Sequence, residues 1–290
     1  MNYVEDTIAN VNENTVIVKL FGDVCIKQGD KILRCEEVHS EMLTKLLSYI
    51  VINHKRVVTS SELTDILWGD EEIENPQGAL KNLVYRLRNL LKKNLNGMDY
   101  ILTGRGTGTY YWNGDIPIVV DIEEFEQCNS RSKLDTISED EKMEVLRRLC
   151  DIYDGAVLQI ISSQHWVIQM EAFYNSLYLN AIKQLADIYY RKGEFEQMEV
   201  ICSDAITHES LDEELYVLKI RSLLGQNKRK LAADIYNKAV KHLQNNLGVR
   251  EPEKLAKIYK ELAGRVSDNQ ASIEQITFEN IENEEQNKTF

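Results

Sequence analysis

The stretch from Asn75 to Trp112 constrains this 290-residue chain more than any other. It holds a long segment of helical periodicity, a short break, and then Thr-Gly-Arg-Gly-Thr-Gly-Thr from Thr103 to Thr109, between two apolar clusters. Asn75 suits a helix N-cap, and Pro76 suits the first turn, where no N–H is needed. Leu80, Leu83, Val84, Leu87 and Leu91 recur at helical spacing and share one face. At about 100° per residue, Asn82, Tyr85, Asn89 and Lys93 fall on the opposite face, with Arg86, Lys81 and Lys92 flanking them. An outward stripe of amides, Tyr, Arg and Lys has the donors to read base edges and hold phosphates. An ordinary amphipathic helix with a solvated basic face has the same composition.

The segments around this helix give it a setting. Upstream, short alternating runs at Thr15 to Phe21, Val24 to Lys27 and Lys31 to Arg34 are punctuated by Gly22-Asp23 and Gly29-Asp30, which predicts a small antiparallel sheet. Two helices follow. The first spans about Ser40 to Asn53, with Met42, Leu43, Leu46, Leu47 and Ile50 at core spacing. The second begins at Thr59, which pairs with Glu62 in the pattern of a capping box, and closes on Trp68-Gly69. Beyond the third helix, Tyr100-Ile101-Leu102 and Tyr110-Tyr111-Trp112 read as strands. Gly104, Gly106 and Gly108 make a tight hairpin between them, with Arg105 at its tip, where it can enter a minor groove. Sheet, three helices and hairpin in that order form a winged helix-turn-helix. The glycine spacing does not match a nucleotide phosphate loop, and no helix follows it.

Val57-Val58 through Leu63, Leu67-Trp68-Gly69-Asp70, Tyr85-Arg86-Leu87-Arg88 and Thr103 to Gly108 resemble the OmpR/PhoB-type DNA-binding domain. More specifically, they resemble its form in SARP-like bacterial transcriptional activators. The resemblance puts Arg86 where the family contacts bases. It puts Thr103 and Arg105 where the family's wing meets phosphate and the minor groove. It extends past a linker at 113–120 to Asp121-Ile122-x-x-Phe125, where the family begins its bacterial transcriptional activation domain (BTAD).

From Asp121 onward the pattern predicts helices at about 121–129, 138–152, 166–191, 194–207, 212–224, 228–246 and 252–265. A weak repeat shifts Met198, Cys202 and Ala205 by 34 residues onto Ala232, Tyr236 and Ala239. With Ala186, Tyr189 and Gly193-Glu194-Phe195, this fits a tetratricopeptide-like unit. Such stacked helix pairs present a surface for protein contacts. The fold expectation is therefore mainly α: a winged helix-turn-helix (α+β) over 15–115, then an all-α tetratricopeptide-like domain over 116–265. Flexible tails are expected at 1–14 and 266–290, the latter with six acidic side chains against one Lys.

Charge narrows the partners. The net charge is −13, yet 76–106 carries six cations (Lys81, Arg86, Arg88, Lys92, Lys93, Arg105) against Asp99 alone. A local positive patch on an acidic chain implies modest, salt-sensitive nucleic-acid affinity. His39, His54, His165, His208 and His242 stand apart, and Cys25, Cys35, Cys128, Cys150 and Cys202 form no C-x-x-C pair. No metal, cofactor or catalytic residue is expected, and the chain does not read as an enzyme. No apolar run is long enough to span a membrane, and the N-terminus lacks signal-peptide character, so a cytoplasmic protein is expected.

Two functions follow as expectations. The first is a sequence-specific transcriptional regulator of activator type that binds double-stranded DNA. In it Asn82, Tyr85 and Arg86 read bases. Lys81, Arg88, Lys92, Lys93 and Thr103 hold phosphates, and Arg105 probes the minor groove. Its helical domain would contact a second copy, RNA polymerase or a signal-carrying partner. The alternative is a protein–protein adaptor with a degenerate winged helix and a peptide-binding helical half, which the acidic balance would suit.

Overall fold

The computed structural model describes residues 12–69, 73–248 and 252–264. The expected tails at 1–14 and 266–290 lie largely or wholly outside these. The chain divides into two compact units, 1–185 and 186–290.

The first unit opens with β1 (Val16–Lys19), β2 (Cys25–Gln28) and β3 (Lys31–Arg34), joined as an antiparallel meander. Helices α1 (Glu41–Ile52), α2 (Ser60–Trp68) and α3 (Pro76–Asn94) follow. Between α1 and α2 lies the two-residue strand β4 (Val58–Thr59), and after α3 come β5 (Ile101–Gly104) and β6 (Thr109–Trp112). β4, β6 and β5 form a three-stranded wing sheet in that order. Strand β4 lies outside the expected pattern because two residues are too short to show alternation.

The expected linker at 113–120 is a correction. Ile118–Val120 forms β7, which pairs in parallel with β1 and completes the first sheet in the order β3-β2-β1-β7. The β-branched Ile118, Val119 and Val120 suit a strand, and the Val16 N–H donates to the Pro117 carbonyl at 2.8 Å. The sheet is thus mixed and not purely antiparallel.

β7 leads directly into α4 (Asp121–Ser132), followed by α5 (Glu139–Ile152). Asp121 is fully buried, and its carboxylate accepts the N–H groups of Leu20 at 2.7 Å, Phe21 at 2.9 Å and Ile122 at 2.8 Å. Those bonds satisfy donors at the frayed end of β1. Desolvation pushes the Asp121 carboxyl up to about 7, against the opposing pull of the three N–H groups and Lys19. Around it, Phe21 meets Phe125 at 5.1 Å, Tyr153 at 5.2 Å and Tyr174 at 5.4 Å between ring centroids. This aromatic cluster joins the sheet to α4, α5 and the first part of α6 (His165–Lys192). It explains why the first compact unit runs well beyond the wing.

Gly22 is fixed twice over. Its φ is +64°, and a Cβ there would overlap the Asp154 carbonyl oxygen.

The second unit contains the end of α6, then α7 (Phe195–His208), α8 (Glu213–Gly225), α9 (Arg229–Leu247) and α10 (Glu253–Gly264). The observed helices lie within a few residues of the expected ones. Met198, Cys202 and Ala205 are fully buried on α7, as are Ala232 and Ala239 on α9. Five of the six repeat positions are therefore core positions, and the sixth, Tyr236, is partly buried against the same core. Tyr216, Val217, Ile220 and Leu223 of α8 pack with Leu243 of α9 and with Leu255 and Ile258 of α10. Gly225 ends α8 against the Phe195 ring, to which a Cβ would come within 2.5 Å.

Candidate nucleic-acid interface

The rotation of α3 about its axis is set by burial. Leu80, Val84, Leu87 and Leu91 are at most 1% exposed and Leu83 is 7% exposed. Each such side chain contributes roughly 1.5–3 kcal/mol relative to exposure, so turning the helix would forfeit several of these at once. The cap is as expected: the Asn75 Oδ1 accepts the Gly78 N–H at 2.9 Å, with Pro76 in the first turn. At the far end, the Lys31 ammonium donates to the Leu95 carbonyl at 2.8 Å, tying α3 to β3. Buried Gln28 reaches across as well, accepting the Tyr100 hydroxyl at 2.5 Å and the Asn96 N–H at 3.2 Å. The helix is thus anchored at both ends, which presents its polar face rigidly.

That face carries Lys81, Asn82, Tyr85, Arg86, Asn89, Lys92 and Lys93, all exposed. Tyr85 is 66% exposed, unusual for an aromatic on a helix that buries its apolar side so completely. Among the described residues, the side chains of Lys81, Asn82, Tyr85, Arg86, Asn89 and Lys93 take no hydrogen bond or ion pair. Their donors are free for a ligand.

The wing stands beside this face. Gly106 and Gly108 take φ of +74° and +59°, which a β-branched residue would resist. A Cβ at Gly104 would overlap the hydroxyls of Thr107 and Thr109, which bond each other at 2.7 Å across the turn. Arg105 is exposed at the tip, with no side-chain partner among the described residues. The turn of the wing is held by the start of α2: the Ser60 N–H donates to the Gly108 carbonyl at 2.8 Å, and the Ser60 hydroxyl donates to the same oxygen. The start of α2 is in turn fixed by Glu62, whose carboxylate accepts the Tyr49 hydroxyl at 2.7 Å and the Arg56 guanidinium at 3.0 Å. Arg56 hydrogen bonding leads the causes that hold Glu62 down at about 2.

Three of the expected contact residues already have partners. Arg88 is only part-exposed, and its Nε donates to the Ile101 carbonyl at 2.9 Å. Its terminal nitrogen donates to the Thr103 hydroxyl at 2.6 Å. Arg88 and Thr103 therefore form a clasp between α3 and β5, with three of the five Arg88 N–H donors uncommitted. Lys92 pairs with Asp99 at 2.6 Å, and that bond holds the Asp99 carboxyl below its ordinary range. The clasp and the ion pair were not legible in the spacing, because both partners lie beyond a turn of unspecified path.

Two family models match this chain. The model described as transcriptional regulatory protein, C terminal, covers 39–111, and the bacterial transcriptional activator domain covers 120–263. The chain is a SARP-like, DNA-binding transcriptional regulator. A structure of Mycobacterium tuberculosis EmbR in complex with a low-affinity phosphopeptide shares the fold of this regulator, with a TM-score of 0.59 at 15% identity. The match covers 86% of this chain and 65% of EmbR's, so the regulator spans under two thirds of that protein's length. No curated protein sequence matches it.

No group of three or more His, Cys, Asp or Glu among the described residues could hold a metal ion. Burial pushes the Cys35 and Cys202 thiols up to about 12, which suppresses the thiolate. No helix among the described residues is long and apolar enough to cross a membrane.

Proposed function

We propose that this regulator is a cytoplasmic, sequence-specific transcriptional activator that lays α3 in the major groove and its wing along the adjacent minor groove. The observation that carries the reading is the line of exposed, uncommitted Asn82, Tyr85 and Arg86 side chains beside a wing tipped with Arg105. Arg86 pairs with a guanine edge, while Asn82 and Tyr85 read its neighbours. Lys81 and Lys93 flank that line and meet phosphates. Thr103 and the remaining donors of Arg88 meet the strand between the grooves, and Lys92 exchanges Asp99 for a phosphate. The helical domain contacts a second copy of the chain, RNA polymerase or a signal-carrying protein, and a dimer would bind half-sites one helical turn apart.

Fluorescence anisotropy with a selected duplex tests the base-reading assignment. Arg86→Ala should weaken binding by about 1–3 kcal/mol and relax specificity at one position. Equal affinity of Arg86→Ala and wild type for that duplex would remove Arg86 from the base-reading set.

A further inference from the structure

We infer that the DNA read by this regulator carries two A·T pairs about three steps apart with a guanine close by, and that Asn89 is the second adenine-reading amide. The inference rests on the proposal that α3 lies in the major groove.

Asn82 and Asn89 are seven residues apart, two turns along the same outward line of α3. At 1.5 Å of rise per residue their side chains stand about 10 Å apart along the axis. Base pairs stack every ~3.4 Å, so two amides at this spacing address positions roughly three steps apart. Tyr85 and Arg86 lie between them, one turn on from Asn82. An Asn amide matches the N6 and N7 edge of adenine, and an Arg fork matches O6 and N7 of guanine.

Several amides elsewhere in this unit are committed to holding structure together. The Asn53 amide donates to the Tyr49 carbonyl at 2.8 Å, Asn94 to Leu90 at 2.9 Å and Asn113 to Asp99 at 2.9 Å. Asn75 caps α3, and Gln28 is buried in a hydrogen-bonded link. Asn82 and Asn89, by contrast, are exposed and bond nothing among the described residues. Asn in a helix interior is less favourable than Ala, Lys or Glu. Here two of them weaken α3 with no intramolecular return, and both project along the line that faces away from the core.

The test is selection of bound duplexes from a random pool, using the full chain as wild type, Asn82→Ala, Asn89→Ala and Asn89→Arg. The wild-type motif should contain two adenines about three steps apart. Asn89→Ala should lower the preference for one adenine by about five- to a hundred-fold and leave the other intact, with Asn82→Ala doing the reverse. Asn89→Arg should exchange that adenine for guanine, a switch that a purely structural role would not produce. An enriched wild-type motif that Asn89→Ala and Asn89→Arg leave unchanged would overturn the inference while the proposed function stands. Failure of the wild type to enrich any sequence would overturn the underlying reading and this inference with it.

Discussion

Helices α3 and α9 invite confusion. Each has nineteen residues, each is amphipathic, and each is basic on an acidic chain. Helix α3 carries Lys81, Arg86, Arg88, Lys92 and Lys93 with no acidic residue, and α9 carries Arg229, Lys230, Lys238 and Lys241 with Asp234 among them. Their buried faces differ in kind. α3 sinks Leu and Val side chains and is pinned at both ends, so its outward face is held at a fixed height. α9 buries Ala232 and Ala239 with Leu243, which lets its backbone approach α8 and α10 closely. α3 also has a hairpin clasped to its side through Arg88, whereas α9, among the described residues, packs with helices. Charge and periodicity therefore do not separate a reading helix from a packing helix. The elements alongside do.

The largest effect that would sharpen this contrast belongs to the packing helix's neighbourhood. Gly225→Leu forces side-chain atoms into the Phe195 ring just before α9 begins. It should cost the second unit about 3 kcal/mol, the upper end of ordinary overpacking. Chemical denaturation checks it, and an unchanged midpoint would show that this close approach carries no energetic weight. A smaller effect belongs to the reading helix. Arg88→Ala removes the bonds to Ile101 and Thr103, and should destabilise the first unit by about 1 kcal/mol. Its DNA affinity should fall further than that of Thr103→Val, which leaves the Arg88 bond to the Ile101 carbonyl in place. Equal losses would mean that the Arg88 bond to the Ile101 carbonyl adds nothing to the bond with Thr103.

The smallest effect is one of pH. Glu62 lies at about 2 in the folded chain against an ordinary 4.5. Its contribution is therefore full above about pH 4.5 and is lost as pH falls through about 2. Glu62→Gln should show a shallower loss of stability between pH 5 and pH 2 than wild type, by urea midpoints. An identical acid limb in the two proteins would remove Glu62 from the account.

The difference between the two helices also marks what the sequence could reveal. Periodicity located both helices and chose the buried face of α3, Leu83 included, because a 3.6-residue repeat is a local property. Caps at Asn75 and Thr59 were legible for the same reason. Long-range choices were not. Ile118–Val120 joins β1, about a hundred residues away in sequence, and three residues cannot announce a partner. Asp121 gave no sign that its carboxylate would be buried under β1, since a first-turn acid on a helix is commonplace. Arg88 and Lys92 read as free cations because their partners come into reach only once β5 folds back along α3. The outward positions of Asn82, Tyr85 and Arg86 needed no such knowledge, which is why they emerged from spacing alone.

Salt dependence tests the claim that α3 and its wing, and not α9, grip DNA. Affinity for one selected duplex would be measured across salt concentrations for three proteins. These are the wild type, a Lys81→Ala/Lys93→Ala/Arg105→Ala variant, and a Lys230→Ala/Lys238→Ala/Lys241→Ala variant. The slope of log affinity against log salt should fall by about one for each phosphate contact removed, so by about two for Lys81 and Lys93, with a further drop as the Arg105 charge leaves the minor groove. The second variant should keep the wild-type slope. An unchanged slope for the α3 and wing variant, or a reduced one for the α9 variant, would contradict the account.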